Sequence, residues 1–147
     1  MGNCVSDHFL LKTNDNIPLY SMNNKKFRAK IVDVYDGDTC TAIFWQNFKY
    51  RKYKIRMLGY DSPEMKPSLQ KENREAEIEA AKLAKQALKD WVDNKIVILH
   101  CGNFDKYGRL LGTLYKPGTY CRSSININEW MIDNNYGYRY DGGTKKN

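Results

Sequence analysis

The sequence predicts an α+β chain, mainly β: a five-stranded Greek-key barrel with helices packed beside it. Three observations carry this. A length of 147 residues suits one domain with its own apolar core. Period-2 alternation of apolar and charged residues begins at Phe27, and the elements then run as three strands, a long Ala-rich helix, two strands and a last helix. An OB-fold follows such a plan.

Phe27, Ala29 and Ile31 alternate with Arg28 and Lys30, predicting a strand to about Tyr35 that Asp36-Gly37 turns. Thr39 to Trp45, rich in β-branched and aromatic residues, is the return strand, with Gln46-Asn47 as the next turn. In the third strand Tyr53, Ile55 and Met57 share one face, so Lys52, Lys54 and Arg56 take the other. Between Asn73 and Asp93, Ile78, Ala81, Ala84, Leu88 and Trp91 recur at helical spacing, with glutamates early and lysines late. Lys95 to Cys101 and Arg109 to Tyr115 are two further strands. Lys116-Pro117-Gly118 turns the chain, and a last helix over Ser124 to Asn134 buries Ile127, Trp130 and Met131.

Residues 27–140 form the predicted domain, flanked by a polar, flexible arm over 1–26 and a tail over 141–147. The formal charge of +7 and the pI near 9.2 favour a polyanionic partner. Nucleic acid and an anionic membrane both fit. Cys4, Cys40, Cys101 and Cys121 are widely spaced, without the pattern of a zinc site, and read as free thiols. No stretch approaches the roughly 20 apolar residues of a membrane span, and the run at Phe9-Leu10-Leu11 is too short for a signal-peptide core.

Met1-Gly2-Asn3-Cys4-Val5-Ser6 fits N-myristoylation at Gly2, with Cys4 as a candidate palmitoylation site; the plainer alternative is a chance Gly-Asn start on a leader. One acyl chain binds a membrane only reversibly, whereas two hold it stably. The expectation is an intracellular protein, soluble in the cytoplasm or held on the cytoplasmic face of a membrane.

Asp36-Gly37-Asp38-Thr39, Arg56, Asp61-Ser62-Pro63-Glu64 and Asp105-Lys106-Tyr107-Gly108-Arg109 hold the chemistry. Phosphoryl transfer needs a hard cation on oxygen ligands, a carboxylate base and fixed positive charge. Asp38 and Asp61 fall at strand ends that one hairpin brings together and suit a shared cation, calcium before magnesium, with the Ser62 carbonyl as a further ligand. Glu64 suits a general base at the rim. Arg56 and Arg109 offer forks for phosphate oxygens. Lys106, Tyr107, Tyr136, Tyr138 and Tyr140 are candidates for holding a neighbouring phosphate and stacking on a base. Plainer readings exist: Asp36-Gly37 as an ordinary hairpin turn, Asp-Ser-Pro-Glu as a helix entry, and the tyrosines as packing.

Taken in order, Tyr-Asp-Gly-Asp-Thr, Ile-Arg-Met-Leu-Gly-Tyr-Asp-Ser-Pro-Glu, the Ala-rich helix and Asp-Lys-Tyr-Gly-Arg resemble the staphylococcal nuclease family from about Phe27 to Tyr140. The resemblance implies an OB-fold barrel with three helices that hydrolyses DNA and RNA with Ca2+ and leaves 3′-phosphate ends. It places metal ligands at Asp38, Asp61 and Ser62 and the catalytic trio at Arg56, Glu64 and Arg109. Ser62 stands where many relatives carry threonine, and Tyr136 to Tyr140 do not align cleanly with the family's base-stacking tyrosines. A non-catalytic binding module is the alternative, although none of the carried-over charged positions is vacated.

Overall fold

The computed structural model describes residues 4–14, 16–120 and 122–140. β1 (Lys26–Val34), β2 (Thr39–Gln46) and β3 (Lys49–Met57) form an antiparallel meander. After the two-residue strand β4 (Tyr60–Asp61), helix α2 (Arg74–Val92) leads to the hairpin of β5 (Ile96–Phe104) and β6 (Leu110–Lys116). A short helix α1 (Cys4–Leu10) precedes the barrel. β5 pairs antiparallel with β1, and β6 runs parallel to β3 from Ile55↔Leu110 to Met57↔Gly112. Those two pairings close β1, β2, β3, β5 and β6 into the five-stranded barrel the alternation predicts.

The inward residues of each strand are buried together: Ala29 and Ile31 from β1, Ala42 and Phe44 from β2, Ile55 and Met57 from β3, with Leu99, Leu110 and Leu114. Charged neighbours in those strands stay outside, as strand pleat demands. Helix α2 buries Ala81, Ala84, Ala87, Leu88 and Val92, a face centred slightly beyond the predicted one, with Ile78 and Trp91 only part-buried. Its small residues let the β1–β2 turn approach closely. A Cβ on Gly37 would lie 2.7 Å from both Ala84 Cβ and Ser62 Cβ, so this glycine serves contact.

The structure revises four details. The β2–β3 turn falls on Asn47 and Phe48, both at positive φ (49° and 61°), one residue later than predicted. The last helix, α3 (Ile127–Asp133), starts later than Ser124 because Ile125–Asn126 pairs with β6 as β7, and the Asn126 side chain caps α3 by accepting from the Glu129 N–H at 3.2 Å. β4 pairs with β8 (Tyr138–Arg139), a pairing too short to show a period in sequence. Finally, the polar arm contributes a core residue: Met22 is fully buried, with Gln46 Nε2 3.0 Å from its sulfur, and the Asn24 N–H donates to Cys101 O. A lone methionine among asparagines carries no periodic signal.

Cys40 and Cys101 are buried free thiols, as expected, and burial pushes them up to about 12 and about 11. Cys121 and the lipidation candidate Gly2 lie outside the described residues, and for Cys4 only its place in α1 is described. Among the described residues no helix is long and apolar enough to cross a membrane.

Candidate active site

At one end of the barrel the β1–β2 turn, the end of β3, the segment after β4 and the β5–β6 loop surround a cleft of about 560 Å³. Asp38, Arg56, Asp61, Ser62, Glu64, Lys106, Tyr107, Arg109 and Tyr140 line it, so motifs as far apart as the first turn and the second hairpin meet.

Arg56 is opposite Thr39 in the β2–β3 ladder, and the buried Ile55 and Met57 on either side force its side chain outward. There it bridges both predicted metal carboxylates. Nη1 lies 2.9 Å from Asp38 Oδ1, and Nη2 donates to Asp61 Oδ1. These side chains are only 13%, 10% and 7% exposed respectively, so the ion pairs are shielded from water. Asp38 is held further by the Thr39 hydroxyl at 3.0 Å, the Ser62 N–H at 2.7 Å and the Ser62 hydroxyl at 2.9 Å. Ser62 thus orients Asp38 through two donors, a role its sequence position did not suggest.

Arg109 owes its position to Asp105, four residues earlier. Asp105 Oδ1 accepts the Tyr107 and Arg109 backbone N–H groups, each at 2.9 Å, and Oδ2 accepts Arg109 Nε at 2.7 Å. Burial alone would raise the Asp105 pKa; the Arg109 and Tyr107 N–H donors and the guanidinium outweigh it and hold the carboxyl below the usual range. Gly108, at φ +78°, lets the loop close on itself. Lys106 and Arg109 flank the Tyr107 ring, 5.1 and 5.5 Å from its centroid. Glu64 is exposed at the rim, and its backbone N–H donates to Glu77 Oε1 of α2 at 3.0 Å, which ties the segment to the helix.

The tyrosines divide. Tyr107 and Tyr140 line the cleft. Tyr138 does not; it is half-exposed, with its hydroxyl 3.5 Å from Asp61 Oδ2. Tyr136 stacks on Trp130 at 5.7 Å and borders a separate aromatic groove, which supports the packing reading for that residue.

Sequence reasoning missed Asp36, Tyr35 and Lys66 in the lining, together with the buried Tyr60, whose hydroxyl donates to Gly37 O at 2.8 Å. Asp36 belongs to the Asp-Gly-Asp-Thr motif, where a turn accounts for it without a site role. Burial, and then the charge of Asp38, push its pKa from 3.8 to about 6. Between those values the folded protein keeps a proton the unfolded chain has released, so stability falls as pH rises through this window. In chelator, Asp36→Asn is expected to flatten that fall and to stabilise the protein at pH 7. Urea unfolding from pH 4 to 7 checks it; parallel curves for variant and parent would refute it.

Asp38 and Asp61 around the single Arg56 guanidinium leave an excess of buried negative charge, and every donor is a hard oxygen. That set fits calcium or magnesium better than a thiophilic metal. Among the described residues no group of three or more His, Cys, Asp or Glu side chains forms a ready-made cage, so a cation held by Asp38 and Asp61 would need carbonyl or water oxygens as well.

The family described as staphylococcal nuclease homologue matches residues 54–146, which include Arg56, Asp61, Ser62, Glu64 and Arg109; the fold brings in Asp38 from outside that stretch. A probable staphylococcal-like nuclease of Oryza sativa subsp. japonica is 31% identical over 90 residues, 61% of this chain and 20% of the relative. An uncharacterized endonuclease of Escherichia coli O157:H7 is 26% identical over 104 residues, 71% of this chain and 55% of the relative. The chain spans about a fifth of the rice protein and just over half of the bacterial one. On the matched stretch and the barrel beneath it, the chain belongs to the staphylococcal nuclease family.

Proposed function

We propose that this chain is a calcium-dependent endonuclease that hydrolyses phosphodiester bonds of DNA and RNA and leaves 3′-phosphate ends. The supporting observation is the convergence of Asp38, Arg56, Asp61, Glu64 and Arg109 on one cleft. Asp38, Asp61 and the Ser62 carbonyl would hold the cation, which when bound offsets phosphate charge and favours ionisation of a nearby water. Glu64 takes the proton of the attacking water as its oxygen bonds to phosphorus, and the bond to the 5′ oxygen breaks, that oxygen taking a proton from solvent to leave as a hydroxyl. Arg56 and Arg109 stabilise the charge that builds on the remaining phosphate oxygens. The Tyr107 ring and Lys106 hold the adjoining nucleotide.

Single-stranded DNA and RNA incubated with the full chain are expected to be cut in millimolar calcium and spared when chelator is added. Intact substrate in calcium sinks the reading; equal cutting in chelator sinks the cation dependence.

The same proposal includes a membrane anchor, with myristate on Gly2 and palmitate on Cys4 supplying the two signals that stable attachment requires. Intact-mass measurement on protein made in eukaryotic cells is expected to show both additions, and an unmodified terminus removes the anchor.

A further inference from the structure

The unbroken β2–β3 register puts Tyr50, Lys52, Lys54 and Arg56 on one outward face of β3, across from Trp45, Ile43, Thr41 and Thr39 of β2. The row starts in aromatic rings and ends in the catalytic cleft. Trp45 and Tyr50 face each other directly, edge to face with centroids 5.0 Å apart, and remain 54% and 74% exposed. Lys52 and Lys54 are exposed, and among the described residues neither has an ion-pair partner; Arg28 and Lys30 of β1 extend the basic surface, with Asp33, paired with Thr41, as the neighbouring acid. The turn adds an independent sign. Phe48, 93% exposed, holds φ 61°, where glycine is normally chosen for such hairpins. A bulky ring kept in a strained, exposed position points to a contact made by that ring.

We propose that this face is an extended subsite for single-stranded nucleic acid, in which Lys52 and Lys54 contact phosphates of a strand leaving the cleft and the Trp45, Tyr50 and Phe48 rings stack on bases at its far end. This rests on the nuclease reading and lengthens its substrate. From Tyr50 to Arg56 the strand covers roughly 20 Å, a few nucleotides, within the roughly 4–16 an OB-fold occupies. Two features select nucleic acid over an anionic lipid surface. The charges form a line continuous with the cleft, and the rings lie at one end of that line.

Fluorescence anisotropy with a labelled thymidine dodecamer and a labelled trinucleotide, both in chelator so that nothing is cut, tests the subsite on the full chain. Trp45→Ala/Tyr50→Ala is expected to weaken dodecamer binding about 5- to 100-fold while changing trinucleotide binding less than twofold. Lys52→Gln/Lys54→Gln should lower the salt slope of dodecamer binding by about 1.4. Phe48→Gly separates stability from contact, because it relaxes the turn and should raise Tm while reducing dodecamer affinity. Dodecamer binding equal to the parent in all three variants overturns the subsite, even if the parent proves to be an active nuclease. A loss confined to phosphatidylserine vesicles overturns it in favour of a lipid-facing surface. If the parent cuts nothing but the variants lose dodecamer binding as described, the nuclease reading falls and the strand-binding face stands.

Discussion

Arg56→Gln is expected to lower turnover about 10²–10³-fold, the usual cost of losing one preorganised donor, and in chelator to destabilise the fold as well. The second effect follows from burial. Arg56 bridges Asp38 and Asp61, both nearly inaccessible, so its removal leaves two carboxylates side by side without the cation between them. Breaking a buried pair by deleting one partner costs about 3–5 kcal/mol. Millimolar calcium should stabilise the variant more than the parent and so narrow that deficit, because a cation held by the two carboxylates supplies the missing positive charge. Urea unfolding with and without calcium reads this, and a variant as stable as the parent in chelator would show that the bridge contributes nothing.

Glu64→Gln separates chemistry from folding in the opposite way. Its side chain is exposed at the rim and its backbone N–H, which binds Glu77, is untouched by the substitution, so the effect on stability should be small beside that on turnover. Turnover should fall about 10²–10⁴-fold, the range a positioned general base supplies. A variant that keeps the parent's rate would remove Glu64 from its role.

Much of the barrel is legible because pleated strands write burial as alternation: Ile55 and Met57 predict the inner face, and therefore the direction of Arg56. The carboxylates flanking Arg56 were readable as strand-end neighbours. Other parts leave no such trace. The β4–β8 pair spans two residues on each side, a single strand period that cannot show alternation. Met22 enters the core alone from a polar arm. Asp36 and Gly37 look like an ordinary turn, since neither the burial of Asp36 nor the proximity of Ala84 is local in sequence. Tyr136, a candidate for base stacking beside a plainer packing reading, packs against Trp130, an outcome decided by where α3 sits.

The close contact of Gly37 with Ala84 and Ser62 has a dynamic consequence. The turn that carries Asp38, the segment that carries Asp61 and Ser62, and helix α2 touch at one crowded point, so none can move far without releasing the others. They should therefore open as one cooperative unit. The amides of α2 and that of Ser62 would then exchange with solvent together, and a cation bound at the carboxylates would slow exchange along the helix, which never touches it.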